Sequence, residues 1–189
     1  MRLFAALLPP PEALDELAGA LAPHLDDWPD LRWLTRDNWH LTLSFFGEVP
    51  DRALPRLSVR LARAACRYPP VTLSFTGAGA FPSARRGRVV WYGLAGPVGR
   101  LTKLAASLAA GARRAGATQV DEKPFRPHLS VARARAEVDV RPLVSALAAF
   151  EGMFWDAPEV HLVRSHLGAR VRYETVESWP LGGTTRGGG

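Results

Sequence analysis

Apolar side chains recur along this chain at two periods, and the switches between them mark out its elements. Residues 2–8 form a short apolar run closed by Pro9-Pro10-Pro11, which predicts a buried strand. Leu14, Leu17, Leu21 and Leu25 repeat at helical spacing behind Pro11-Glu12 and predict a helix over 11–26, with His24 a surface residue near its end. Trp28-Pro29 and Trp33 mark a turn and a short extended piece. A strand is predicted over about 39–46, ended by Gly47. Residues 51–66 place Leu54, Leu57, Leu61 and Ala65 on one helical face, while Arg52, Arg56, Arg60 and Arg63 lie elsewhere and read as a solvated face, with contact to RNA the alternative. After Tyr68-Pro69-Pro70, Val71, Leu73 and Phe75 alternate with Thr72, Ser74 and Thr76, the mark of a half-buried strand. Gly77 to Gly87 reads as loop, with a turn at Arg85-Arg86-Gly87-Arg88, and 88–94 as another strand.

The order then begins again. Leu101, Leu104, Leu108 and Ala112 share one side of a helix over 97–115 that Gly116 stops. A strand is expected at 128–133, a helix at 139–150 with Leu143, Leu147 and Phe150 inward, and a hairpin of strands 158–166 and 170–179 about Gly168. Both halves thus read strand, helix, strand, helix, strand, as an old duplication with a pseudo-twofold axis would leave them. One domain of two lobes is expected over 1–182. The glycine-rich tail 183–189 has nothing to bury and is expected to be disordered.

Composition narrows the class. A chain of 189 residues with 47% hydrophobic and 22% charged residues is an ordinary globular protein. The net charge of +6 favours an acidic partner such as nucleic acid. An Arg-rich composition with only Lys103 and Lys123 as lysines is the plainer account of the same number. The single Cys66 leaves no internal disulfide and no thiolate zinc site. The opening apolar run is too short for a signal peptide or a membrane span. A cytoplasmic, soluble monomer that does not engage a membrane is expected.

Two short stretches carry the chemistry. His40-Leu41-Thr42-Leu43 and His128-Leu129-Ser130-Val131 each read imidazole, apolar, hydroxyl, apolar. Residues two apart on a strand share a face. Each stretch would therefore present a ring and a hydroxyl together, anchored by apolar neighbours behind. With five His and 18 Ser and Thr in the chain, chance supplies only about 0.5 such pairs, before the apolar flanks are required. Two strands facing each other would hold a phosphate, the hydroxyls donating to its oxygens and the imidazoles moving protons. His161 and His166 have no hydroxyl two residues on and read as structural or exposed. A zinc site on His40 and His128 would lack a third ligand in the motifs.

These residues resemble the 2H phosphoesterase superfamily, named for two His-x-Thr/Ser motifs, and within it the bacterial RNA 2′,3′-cyclic phosphodiesterases, historically called 2′-5′ RNA ligases. The resemblance runs to about residue 181. It includes Met1 to Leu7, Trp39-His40-Leu41-Thr42-Leu43-Ser44-Phe45-Phe46-Gly47-Glu48-Val49, Pro124-Phe125-Arg126-Pro127-His128-Leu129-Ser130-Val131-Ala132-Arg133 and the region from Leu162 to Leu181. Ser130 departs from the usual Thr; it keeps the hydroxyl and loses a methyl that restricts the rotamer. The resemblance implies an α+β bilobal fold, with antiparallel sheets lining a central cleft and helices outside. It also implies hydrolysis of a 2′,3′-cyclic phosphate at an RNA end to a 2′-phosphate, the reverse reaction being 2′-5′ ligation. No metal and no nucleotide cofactor is implied.

Opening a cyclic phosphate needs a base for water and an acid for the leaving 3′ oxygen. One neutral and one protonated imidazole suit both tasks near pH 7. The resemblance implies His40 as proton donor and His128 as acceptor; the residues alone leave the roles exchangeable. Thr42 and Ser130 would hold the nonbridging oxygens. Arg126, two before His128, is a candidate bidentate phosphate ligand, with Arg133 a second. Phe46, on the His40 face if every second residue is counted from 40, is a candidate to stack on a base. The alternatives are a module that binds RNA ends without turnover, and a 2H enzyme acting on ADP-ribose or nucleoside cyclic phosphates.

Overall fold

A computed structural model describes residues 1–168 and 171–182. Every strand pairing in it is antiparallel, and the strands form two sheets. The first has the order β3-β1-β8-β9 and the second β2-β6-β5-β4-β7. In chain order the strands are β1 (Arg2–Leu7), β2 (Leu31–Trp33), β3 (Leu41–Glu48), β4 (Val71–Phe81), β5 (Gly87–Ala95), β6 (His128–Val138), β7 (Trp155–Ala157), β8 (Glu159–His166) and β9 (Arg172–Pro180). The helices are α1 (Pro11–Leu21), α2 (Leu54–Ala65), α3 (Val98–Ala115) and α4 (Arg141–Leu147).

The two halves keep the expected order, β1-α1-β3-α2-β4 and β5-α3-β6-α4-β8, and they exchange their last strands. β4 of the first half pairs with β5, and β8 of the second pairs with β1. The exchange welds the lobes into one body. Apolar periodicity says that a strand buries one face but not which partner it takes, so this crossing was invisible in the sequence. Sheet faces and helices then close on a common core. Leu3, Leu7, Leu41, Leu57, Leu61, Leu101, Leu108 and Leu129 are all fully buried there, and each such side chain contributes about 1.5–3 kcal/mol by leaving water.

Several boundaries moved. The first helix ends at Leu21 and passes into a 3-10 turn over Ala22–His24, with Pro23 at its start. The segment read as loop from Gly77 is largely strand, because β4 runs on to Phe81 through an irregularity in its register after Phe75, with Gly77 at φ +65°. The second motif strand extends to Val138. α3 stops where expected: Gly116 adopts φ +103° and donates its N–H to Ala112. The expectation for 183–189 lies outside the described residues, as does the start at Arg170 proposed for the last strand. Among the described residues no helix is long and apolar enough to cross a membrane.

Candidate active site

The motif strands come together because short pieces of chain tether one lobe to the other. β2 lies against β6, with Leu31 opposite Ala134 and Trp33 opposite Ala132. The next residue, Leu34, donates its N–H to the carbonyl of Val131 at 2.8 Å. A 3-10 turn at Arg36–Asn38 then delivers the chain to His40 and β3. On the far side, Gln119 and Asp121 run along β3: Asp121 donates its N–H to Phe45 O at 3.0 Å, and the Gln119 side chain accepts from Glu48 N. A Cβ on Gly47, at φ +71°, would sit 2.3 Å from Gln119, so glycine is required twice over. This contact starts the segment that leads to His128 on the opposite wall.

Each motif strand carries the same irregularity. In β3, Thr42 pairs with Ala6 and Ser44 with Ala5, so Leu43 is an extra residue. In β6, Ser130 pairs with Trp91 and Ala132 with Val90, so Val131 is extra. A bulge inverts the alternation of faces beyond it. Leu43 and Ser44 are consequently both buried, as are Val131 and Ala132. The face that begins with His40 and Thr42 continues with Phe45, not Phe46. The face that begins with His128 and Ser130 continues with Arg133.

Phe46 is accordingly not on the cleft: it is 0% exposed in the core. Period-two counting placed it wrongly because the bulge adds one residue. Phe45 takes that position, paired with Phe4, packed against the small cluster of Phe4, Ala6 and Val163 and with Arg2 stacked 4.6 Å over its ring.

The two histidines have matching surroundings. Nδ1–H of His40 donates to the carbonyl of Asn38 at 2.9 Å, and Nδ1–H of His128 to the carbonyl of Arg126 at 2.6 Å. A carbonyl can only accept, so each bond fixes the tautomer and leaves Nε2 with its lone pair. Each ring also lies between two aromatics. His40 has Phe4 at 4.8 Å, tilted by 32°, and the edge of Tyr173 at 4.8 Å. His128 has the edge of Phe81 at 4.9 Å and Trp91 at 6.2 Å. Trp91 reaches that place by lying across Gly79, where a Cβ would fall 2.4 Å from its ring.

Burial among these rings disfavours the charged imidazole. It pushes the His40 pKa down to about 4, with the Asn38 hydrogen bond opposing and the positive field of Arg133 and His128 adding to the fall. His128 is also lowered, again by burial first, with its Arg126 hydrogen bond opposing and Arg133 adding. Arg133 is thus near enough to both rings for its charge to oppose their protonation.

A hollow of about 740 Å³ opens between the lobes, and Thr42, Phe45, Phe81, Arg126 and His128 are among the side chains on its wall. Thr42 and Ser130 are half-buried, and Arg126 and Arg133 are exposed. Arg126 lines the hollow with Thr42 and His128, whereas His40, Ser130 and Arg133 lie outside its lining, Arg133 acting on both rings through its charge.

His166 is on the β8–β9 hairpin, 2.7 Å from Glu174. His161 bonds Ser178 at 2.7 Å and stands opposite Ala6 across the sheet. Sequence reasoning missed Phe4, Tyr173, Phe81 and Trp91. They come from strands remote in the chain, and Tyr173 reaches His40 only because the hairpin curls over the sheet, where Asn38 Nδ2 meets the carbonyl of Val171. Among the described residues no group of three or more His, Cys, Asp or Glu is arranged to hold a metal.

Comparison with known proteins agrees with this geometry. The RNA 2′,3′-cyclic phosphodiesterase of Escherichia coli K12 is 33% identical over 184 residues, covering 95% of this chain and 96% of its own. The Geobacillus stearothermophilus protein of the same name is 28% identical over 93% of this chain, which spans 55% of that longer relative. The crystal structure of TT0787 from Thermus thermophilus superposes with a TM-score of 0.81 at 27% identity, covering 98% of this chain and all of that one. The sequence model described as the 2′-5′ RNA ligase superfamily matches residues 9–169. With paired imidazoles close enough to feel each other's charge, a shared bulge beyond each motif and a family match across most of its length, this chain belongs to the 2′-5′ RNA ligase superfamily.

Proposed function

We propose that the protein opens 2′,3′-cyclic phosphates at RNA ends to 2′-phosphates. The observation that carries this reading is the matched pair of imidazoles. Each is tied through Nδ1–H to the carbonyl two residues before it, with a bare Nε2 and a hydroxyl two residues after. One ring accepts a proton from water as its oxygen attacks phosphorus. The other gives a proton to the 3′ oxygen as the P–O3′ bond breaks. Thr42 and Ser130 donate to the nonbridging oxygens, and Arg126 and Arg133 offset the charge that builds on them. Phe45, in place of Phe46, offers a face to the terminal base.

Following the family, His40 is the donor and His128 the acceptor. At rest burial depresses both rings, His40 to about 4, which disfavours the protonated form that a donor needs. With His40 as donor, the anionic phosphate must raise that ring on binding. Exchanged roles are thus the second reading.

Three measurements test the proposal. An oligoribonucleotide with a cyclic-phosphate end, incubated in EDTA, is expected to yield a 2′-phosphate; binding without product would leave an RNA-end-binding module. Relative turnover of a nucleoside cyclic phosphate, an ADP-ribose cyclic phosphate and the oligonucleotide separates the related activities. A substrate with sulfur at the 3′ leaving position needs no proton on departure. It is expected to rescue His40→Ala and not His128→Ala; the reverse pattern assigns the exchanged roles.

A further inference from the structure

Between Arg52 and Val120 the chain has no Asp and no Glu, yet it has twelve of the 24 basic residues. The remainder of the chain is net acidic, so the positive excess of the protein comes from this one segment. A general bias toward arginine explains many arginines; it does not explain why all 18 acidic residues lie elsewhere.

The fold gathers part of this charge on the outer face of α2 and α3. Arg60, Arg63 and Arg67 of the α2 arm and Arg114 of α3 line a groove of about 300 Å³ floored by Ala106, Ser107, Ala110 and Gly111. The floor is small enough for the helices to approach closely: a Cβ on Gly111 would come to 3.4 Å from the Arg60 carbonyl. The Arg63 carbonyl holds the Arg67 arm, and Arg56, outside the groove, ties α2 to the end of α3. Arg67 Nε donates to Arg63 O at 3.0 Å, and Arg56 Nη2 to Arg114 O at 3.2 Å.

Three arginines outside the groove are ion-paired among the described residues, Arg36 with Asp15, Arg86 with Glu137 and Arg141 with Asp139, while most are not. Among the described residues none of the four groove arginines has a carboxylate within ion-pair distance. Like charges held around one hollow repel one another and call for an anion.

The groove adjoins the cleft across a low ridge. Ala106 borders both hollows. From one side of α3, Thr102, Ala109 and Arg113 face the cleft; from the other, Ser107, Ala110 and Arg114 face the groove. Residues 106 and 114 are only about 12 Å apart along the helix axis, and the ridge between the hollows is built of alanine. We infer that the α2–α3 groove is a second RNA-binding site, which grips the phosphodiester backbone of nucleotides 5′ to the cyclic end while that end occupies the cleft. The guanidinium forks suit phosphate oxygens, contacts that position a strand without reading its sequence. This inference rests on the reading that the substrate is an RNA end.

The test is the variant R60Q/R63Q/R67Q/R114Q, assayed on a cyclic-phosphate-ended decanucleotide and on a nucleoside 2′,3′-cyclic phosphate across a salt series. For the decanucleotide, KM is expected to rise about tenfold or more at low salt with kcat unchanged. The slope of log KM against log salt should fall by about 2 to 3, given about 0.7 per phosphate contact on a single strand. The mononucleotide should turn over as in the parent.

Unchanged decanucleotide kinetics and slope would overturn the inference, as would an equal loss on both substrates. Retained RNA affinity with lost binding to phosphatidylserine vesicles would overturn it in favour of a membrane surface. If the parent turned over neither substrate, the catalytic reading would fail instead, and fluorescence anisotropy of the labelled decanucleotide would still decide the groove. Should the half-buried Arg60 prove needed for folding, R63Q/R67Q/R114Q, at three exposed positions, carries the same test.

Discussion

Two adjacent phenylalanines give the sharpest check on the active-site geometry. The bulge at Leu43 sends Phe46 into the core, where it is 0% exposed, and leaves Phe45 on the cleft wall. Truncating a fully buried Phe to Ala costs about 3–5 kcal/mol through lost transfer energy and the cavity left behind. At about 2–4 °C per kcal/mol for a chain of this size, Phe46→Ala should lower Tm by roughly 6–20 °C. The protein that remains folded should keep its KM.

Phe45→Ala removes a half-exposed ring, its packing against the cluster of Phe4, Ala6 and Val163, and the Arg2 stacking at 4.6 Å, the last worth about 0.5–1 kcal/mol. Its stability loss should stay near about 1–2 kcal/mol. Its effect on substrate should be larger: stacking on a base is worth about 1–3 kcal/mol, or roughly 5- to 150-fold in KM. Thermal unfolding followed by circular dichroism, beside steady-state kinetics on a cyclic-phosphate-ended oligonucleotide, separates the two. If Phe46→Ala weakened substrate binding while Phe45→Ala lowered Tm, the bulge would be misplaced and strict alternation from His40 would hold.

Other expectations are simpler. His40→Ala and His128→Ala should each lose at least about 100-fold in rate, the usual scale for an acid or base group, with Thr42→Ala and Ser130→Ala losing less; either histidine variant with full turnover would remove the acid–base assignment. The depressed His40 ring, at about 4 against 6.5 when exposed, binds its proton less readily folded than unfolded. The stability it contributes is therefore complete above pH 6.5 and is lost as the pH falls toward 4. The loss is on the order of a few kcal/mol by pH 4.5. Urea midpoints should show a smaller acid-side loss for His40→Gln than for the parent. Gly79→Ala puts a methyl where the Trp91 ring lies, 2.4 Å from its nearest atom. It should destabilise by about 1–3 kcal/mol, read as a lower Tm, because the ring must move.

The helices and motif strands could be read from the chain because periodicity is a local property. Leu101, Leu104 and Leu108 face one way whatever α3 packs against, and Gly116 stops that helix through its own backbone freedom. The pairing of His40 with Thr42 and of His128 with Ser130 was legible for the same reason: residues two apart share a face until something interrupts the strand. The interruption was not legible. A bulge depends on the register of a neighbouring strand, here β1 for β3 and β5 for β6. Its consequences, Phe45 for Phe46 and Arg133 beside both rings, appear only with that partner in place.

By itself, then, the sequence determined the elements, their repeated order and the two imidazole–hydroxyl pairs, all of which rest on contacts between near neighbours. Tertiary structure decided the exchange of β4 and β8 between lobes, the aromatic walls that depress both imidazoles and the meeting of Arg60, Arg63 and Arg67 with Arg114. Each of these depends on which distant segment wins a shared face, a competition among long-range contacts that no local period records.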